Sequence, residues 1–443
     1  MRWLMVSQDT PRDVLGGTEL YVRRLSKALL EREIDVSWTY YSEGDPDLTK
    51  EGMQADGIEY YKISGRNEPR TREHVWQVDP LGLNEFRRVL KLAQPDCVHF
   101  NGFSRHQSPE HFAAAKEAGA TVLMTYHAAG QSCSRWDLLY KGQEVCSGTI
   151  DVERCTDCTL QRIGLPAPLR AVLSRVDLSQ LAEILPHGAQ HPFVRRKGLQ
   201  DYHRRWQEGM ATLDKVVWHT AWVRELLLSN GVLDDRLFHL PLPPPMLFAI
   251  TDCNEHSARS HRRFVFIGRL IDVKGAHILT EALRLLPPEE NVEVLLVGAK
   301  GEDKYLERIQ KECALDHRVR LVPPAAPHLI PDIMRDSDAI VVPSLCPETG
   351  PYTVLEALWT GTPVIGSDRA GIRELIRKWG GGVLFEAGNA PQLARLLSDY
   401  DFQSMRRDPT LFRKSWCDAF NTQIDELSQH VQANESRRDE YIC

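Results

Sequence analysis

Apolar and polar residues change rhythm twice within Arg2–Tyr41. RWLMVS is an apolar run of strand length, and Gly16 and Gly17 then interrupt the chain. From Thr18 the apolar residues Tyr21, Val22, Leu25, Ala28 and Leu29 recur at helical spacing, with Arg23, Arg24 and Lys27 on the other face. IDVSWTYY reads as a second strand. The same alternation returns in DCVHFNG (Asp96–Gly102, strand into loop), HFAAAKEAGA (helix ending at glycine) and TVLMTYH (Thr121–His127, strand). Strands alternating with helices predict a parallel sheet covered on both faces.

The alternation stops after His127. Residues from about 130 to 210 hold four cysteines, several prolines and a basic excess, and are read as a partly helical insertion. KVVWHT (Lys215–Thr220) resumes the sheet, and AWVRELLLSNG is a helix stopped by Gly231. The proline run Pro241–Pro245 lacks the N–H donors that a central strand needs, and it marks a domain boundary. A second series then begins: FVFIGRL, VEVLLVGA, RVRLVP, AIVVPS and TPVIGSD, each followed by a helical segment. The expected organisation is an α/β domain over 1–242 carrying the insertion, a second over 243–401, and a polar helical tail over 402–443 packing across both. Each α/β domain is expected to be doubly wound and Rossmann-like.

Composition narrows the function. The net charge of −7 over 443 residues argues against nonspecific nucleic-acid binding, which needs an excess of Lys and Arg. MRWLMVSQDTPRD does not have the pattern of a secretory signal, and no run of ~18 apolar residues suggests a membrane span. Ten cysteines in such a chain suggest reduced thiols and a cytoplasmic location.

In open α/β sheets, ligands bind beyond the carboxyl ends of the strands, so the residues just after each strand carry the functional signal. Gly16 and Gly17 precede a helix, where glycine lets the backbone approach a phosphate; a plain turn explains them equally well. Arg269 and Lys274, in the loop after FVFIG, have the chemistry of a diphosphate clamp, or are ordinary loop charges. Glu348 lies after AIVVPS. Glu356 is expected near the start of the helix VLEALWTG, with Pro351 in its first turn. Both carboxylates could accept hydrogen bonds from vicinal hydroxyls of a ribose or hexose, or merely face solvent and the helix dipole. His127 ends its strand, where it could contact a sugar hydroxyl or phosphate, shuttle a proton, or simply be structural. His99 and Asn101 repeat that signal more weakly.

These residues converge on a pattern. GGTEL (Gly16–Leu20), PDCVHFN, the strand-end His127, GRLIDVKG (Gly268–Gly275), ETGPYTVLEAL (Glu348–Leu358) and GTPVIGSDRAGIREL together resemble the glycosyltransferase family 4 enzymes of the GT-B fold. The resemblance covers nearly all of the chain outside the insertion and the tail. It implies two Rossmann-like domains facing across a cleft that holds a nucleotide-sugar donor. It also implies a retaining transfer of a hexose from a UDP- or GDP-sugar to a glycan or lipid-linked acceptor, without a catalytic metal, in surface polysaccharide biosynthesis. By the same resemblance, Gly17, with Gly16 beside it, approaches the donor phosphate, and Arg269 and Lys274, with Gly268 beside them, hold the diphosphate. Glu356 binds the ribose, Glu348 and the backbone of Gly350, Pro351 and Tyr352 hold the sugar, and His127 faces the reaction centre. The competing readings are another GT-B enzyme such as an epimerase or a synthase, and a nucleotide-sugar-binding protein without catalysis.

Cys133, Cys146, Cys155 and Cys158 fall as C-x₁₂-C-x₈-C-x₂-C. Four thiolates at this spacing suit a structural zinc or an iron–sulfur cluster, the alternative being four reduced thiols. The resembled family includes members with a similar insertion. LQRIGLPAPLRAVLSRV (Leu160–Val176) mixes apolar residues with arginines. It suits either the inner surface of an anionic membrane, near a lipid-linked acceptor, or an amphipathic helix packed inward.

Overall fold

Five of the six residues of Arg2–Ser7 are buried, which is why the run is apolar on both faces: as a strand it has helices above and below. The structure is a computed structural model. It describes the chain apart from residues 9–15, 44–46, 54–55, 66–77, 105, 183, 187–189, 246–259, 300 and 443. The chain divides into two units, one built mainly from Thr18–Leu240 and the other mainly from Pro241–Thr422.

In the first unit an eight-stranded sheet runs, from one edge to the other, Leu237–His239, Lys215–Trp218, Thr121–Thr125, Cys97–Phe100, Arg2–Ser7, Asp35–Glu43, Glu59–Gly65 and Asp47–Met53. Every pairing is parallel except the last. Asp47–Met53 and Glu59–Gly65 were not expected from the sequence. DLTKEGM has the polar make-up of an edge strand that needs no second covering layer. Without that edge strand, the parallel strands stand in the order 3-2-1-4-5-6-7.

The insertion is largely helical: Val152–Arg162, Ala167–Leu173, Ser179–Ala182 and His191–Thr212, with a small hairpin of Leu139–Tyr140 and Glu144–Val145. Asp151 caps the first of these helices, its side chain accepting from the Arg154 amide at 2.6 Å. The insertion is no satellite. Leu199, Tyr202, Trp206 and Met210 share one core with Phe103, Phe112 and Tyr126, and the Trp206 ring lies 5.5 Å from that of Phe103.

The second unit has six parallel strands in the order Val319–Val322, Val292–Ala299, Arg262–Arg269, Ala339–Val342, Val364–Ser367 and Gly382–Phe385. In chain order this is 3-2-1-4-5-6, the order of dinucleotide-binding sheets. Its core gathers Phe264, Phe266, Val294, Leu296, Val341, Ile365 and Phe385.

The tail is one helix, Thr410–Ile442. It is less polar than its composition suggests, because Trp416, Phe420, Ile424, Leu427 and Val431 fall on one stripe and are all buried. Trp416 Nε1 donates to the Leu242 carbonyl at 2.9 Å in the second unit. From Gln423 onward the helix belongs to the first unit, where Asp425 pairs with Arg32 at 2.6 Å.

Trp206→Ala should destabilise the protein by about 3–5 kcal/mol, the cost of emptying a large fully buried site. Urea unfolding would measure it. A loss under about 1 kcal/mol would mean that the insertion folds apart from the sheet.

Candidate functional site

In a sheet of order 3-2-1-4-5-6, the connections leave strands 1 and 4 in opposite directions and open a crevice at their carboxyl ends. In the second unit these neighbours are Arg262–Arg269 and Ala339–Val342, in register at Phe264–Ala339 and Val265–Ile340. The expected charged residues sit on the two loops that follow. The first loop closes through a 3-10 turn, Asp272–Lys274, into Gly275, whose φ is 74°. A Cβ at Gly275 would stand 2.1 Å from the Pro343 carbonyl oxygen, so only glycine lets the two loops meet this closely. The Leu345 amide donates to the Val273 carbonyl at 2.9 Å and holds them together.

This contact places Lys274 Nζ 2.6 Å from Glu348 Oε1, which also accepts from the Ser344 hydroxyl at 2.6 Å. The Glu348 side chain is 15% exposed. Burial alone would push its carboxyl up. The Lys274 ammonium, the Ser344 hydroxyl and the charge of Arg269 outweigh that, so its pKa is lowered and it stays ionised at neutral pH. Arg269 ends its strand exposed, with Gly268 just before it. The Glu348 carbonyl accepts from the Gly371 amide at 3.1 Å, which ties its loop to the next one. Pro351 is the N-cap residue rather than part of the first turn, the helix running Tyr352–Thr360. Glu356 is the fifth residue of that helix, half-buried, in its second turn and not at its first residues. Ser344 was missed in the sequence, although it ends the quoted run AIVVPS.

In the first unit the corresponding neighbours are Arg2–Ser7 and Cys97–Phe100. Gly16 and Gly17 follow the first of these strands, and Gly17 is the exposed first residue of the helix Gly17–Leu30. The groups after the other strands form a cluster of rings. His127 Nε2 lies 3.1 Å from Asn101 Oδ1, and its backbone amide donates to Gln131 Oε1 at 3.1 Å. His99 Nε2 meets the Thr125 hydroxyl at 2.7 Å, and that hydroxyl also meets Tyr21 at 3.2 Å. Tyr21 packs edge-on against His127, with centroids 4.5 Å apart, and lies 4.9 Å from His219. Burial first, and mutual repulsion with His219 second, lower the pKa of His99 to about 3. The same causes hold His127 well below its ordinary value, and burial brings His219 to about 4. From the sequence Tyr21 was read only as an apolar helix position and His219 only as part of the strand run KVVWHT; neither repeats a recognisable motif.

Cys158 is buried and Cys133 and Cys155 are partly buried, and burial raises all three thiols, Cys155 to about 12. The Cys155 sulfur lies within electrostatic reach of Cys133, Cys146 and Cys158, and the Cys158 sulfur accepts from the Lys141 amide at 3.1 Å. Among the described residues, no group of three or more His, Cys, Asp or Glu is arranged to hold a metal ion.

Leu160–Val176 is divided. Leu160 and Leu173 point into the core, whereas Ile163, Leu169, Val172 and Val176 are between 43% and 50% exposed. Among the described residues no helix is long and apolar enough to cross a membrane.

Two family models match the chain, Glycosyltransferase Family 4 over 15–180 and Glycosyl transferases group 1 over 254–400, between them more than half of it. The chain belongs to glycosyltransferase family 4. This family 4 chain is 32% identical over 149 residues to the D-inositol 3-phosphate glycosyltransferase of Corynebacterium urealyticum, covering 31% of the chain and 35% of that relative. Against the Nocardia farcinica protein of the same name it is 30% identical over 213 residues, covering 43% and 47%. The matched part thus spans about a third to a half of these curated relatives. Sucrose-phosphate synthase of Thermosynechococcus elongatus superposes with a TM-score of 0.64 at 18% identity, covering 98% of this chain and 99% of that one. Anabaena HepE in complex with UDP and glucose superposes with a TM-score of 0.62 at 16% identity, covering 96% and 99%. The fold is GT-B, with two Rossmann-like domains.

The buried histidines give a test by pH. Their folded pKa values lie below the unfolded value of about 6.5, so the unfolded chain takes up protons first as pH falls. Their contribution is complete above about pH 6.5 and is lost progressively toward the His219 value of about 4. The urea midpoint should fall across this window. His219→Asn, which keeps a donor near Nδ1 but cannot titrate, should make that fall shallower. An unchanged slope would show that His219 is not buried in its neutral form.

Proposed function

We propose that the chain transfers a hexose from a UDP- or GDP-sugar to a glycan or glycolipid acceptor, with retention at the anomeric carbon, in the building of a surface polysaccharide. The observation that carries this reading is the Lys274–Glu348 pair, with Arg269 beside it, at the crevice of the second sheet. Cleavage of the anomeric C–O bond puts negative charge on a diphosphate. Lys274 is a cation held in advance by Glu348, Arg269 stands near the same strand end, and fixed cations stabilise developing charge without reorganising. Glu348 orients Lys274 through Oε1, which leaves Oε2 as an acceptor for a hydroxyl of the donor sugar. Glu356 accepts from the ribose, the backbone of Gly350–Tyr352 holds the sugar, and Gly17 approaches the phosphate. His127 receives a sugar hydroxyl. Anabaena HepE has been solved with UDP-glucose, which makes this the first donor to try.

UDP- and GDP-sugars should be screened by thermal shift, since a ligand of the native state alone raises its melting temperature. With the donor so found, Lys274→Ala should lower turnover about 100-fold or more, the loss typical of one group that stabilises a developing oxyanion. Glu348→Gln should lower it less, since a neutral amide still positions the lysine. Unchanged turnover in both variants, each checked for a native unfolding transition, would show that the site is wrongly assigned.

The acceptor is proposed to lie in an anionic membrane surface met by Ile163, Leu169, Val172 and Val176, with Arg162 and Arg175 exposed beside them. Co-sedimentation with vesicles containing phosphatidylglycerol should fall when Leu169 and Val172 are replaced by serine. Equal sedimentation of the variant, or none by the unaltered protein, would overturn this part.

A further inference from the structure

A buried carboxylate has to be aimed as well as charged. Among the described residues the Glu348 side chain has two donors, and both fall on one oxygen: the Lys274 ammonium and the Ser344 hydroxyl each lie 2.6 Å from Oε1. The two donors differ in stiffness. Lys274 carries a point charge at the end of a flexible four-carbon stem. Ser344 is only 1% exposed, and a single bond rotation sets its oxygen. Its hydroxyl has one proton, and a carboxylate oxygen can only accept, so that proton is committed to Oε1.

The backbone that carries Ser344 is tied at three points. The buried Ser367 hydroxyl donates to the Ser344 carbonyl at 2.7 Å. The Leu345 amide donates to the Val273 carbonyl at 2.9 Å, and the Glu348 carbonyl accepts from the Gly371 amide at 3.1 Å. The segment Ser344–Glu348 is thus braced by the loop after Arg262–Arg269 on one side. On the other it is braced by the end of Val364–Ser367 and the helix Ala370–Trp379. Position passes along this chain from the braced backbone to the Ser344 hydroxyl, from there to Glu348, and from Glu348 to Lys274.

We propose that Ser344 is a positioning residue: its hydroxyl fixes the direction of the Glu348 carboxylate, and the carboxylate then holds the Lys274 ammonium in place. That this ammonium serves a diphosphate rests on the function proposed above; the hydrogen-bond chain does not. Without the hydroxyl the buried carboxylate is left with one donor, and a buried charge is costly unless it is paired and hydrogen-bonded. It then becomes easier to protonate and free to turn, and Lys274 loses a fixed partner. The charged side chains acting on Glu348 are Arg269 at its strand end and Lys274 in the loop beyond. From the other side, Arg369 Nε donates to the Leu345 carbonyl at 3.3 Å, and Asp368 pairs with Arg373.

The test is a ¹³C titration of the Glu348 carboxyl in the full chain labelled at glutamate, the signal being assigned by its loss in Glu348→Gln. In the unaltered protein the midpoint should lie below the ordinary glutamate value of about 4.3. A hydrogen bond to the ionised form lowers a pKa, so Ser344→Ala should raise the midpoint by about one pH unit, the worth of one hydrogen bond to a charged group. Ser367→Ala controls for a loosened loop, since it removes a tie to the same backbone and leaves the donor to Oε1. It should leave the midpoint in place. An unchanged midpoint in Ser344→Ala, or an equal rise in both variants, would overturn the proposal. With the donor found as above, Ser344→Ala should also lower kcat about tenfold with a smaller change in KM. A normal kcat in Ser344→Ala beside a large loss in Lys274→Ala would show that the lysine is not held through the serine. If the midpoint rises as expected while Lys274→Ala and Glu348→Gln leave donor turnover unchanged, the positioning of Glu348 stands and the functional reading of the site falls.

Discussion

A parallel sheet covered on both faces has no place for a charge along its strands, so polar chemistry is driven to the strand ends. The central stretches of both sheets obey this. In the second, Phe264, Val265, Val341 and Ile365 fill the middle of the sheet, and Arg269, Lys274 and Glu348 appear only where the strands run out. In the first, the apolar run of Thr121–Thr125 gives way within two residues to His127. Chain order then selects among the strand ends. The crevice falls where the connections diverge, and in each unit the groups with the chemistry of a donor site stand at that crevice or one strand away from it.

The two units handle electrostatics in opposite ways. The second keeps charge and satisfies it: the Glu348 carboxylate is held ionised by an ammonium, a hydroxyl and a nearby guanidinium. The first removes charge: burial keeps His99, His127 and His219 neutral, and the Leu240 carbonyl holds the His219 proton on Nδ1. Donor chemistry of the proposed kind asks for both, cations for a phosphate and neutral acceptors for hydroxyls.

Much of this was legible in the chain because strand-end residues directly follow apolar runs. Arg269, Lys274, Glu348 and His127 are of that type. What was not legible depends on contacts between segments distant in sequence. Asp47–Met53 is a strand only because it pairs antiparallel with Glu59–Gly65, and its polar composition gives no period to read. Gly382–Phe385 is four residues long and begins after two glycines of positive φ. Tyr21 and His219 meet His127 only because the fold brings it to them, from 106 and 92 residues away respectively.

The helix Thr410–Ile442 has a consequence for how the protein is made. Domains ordinarily fold in the order in which they leave the ribosome. Here the first unit takes in residues from Gln423 onward, and the partner of Arg32 is Asp425. The unit whose first strand is Arg2–Ser7 therefore remains incomplete until some of the last residues of this chain have been synthesised. Ile424, Leu427 and Val431, the part of the buried stripe that falls in the first unit, are translated only after all six strands of the second unit.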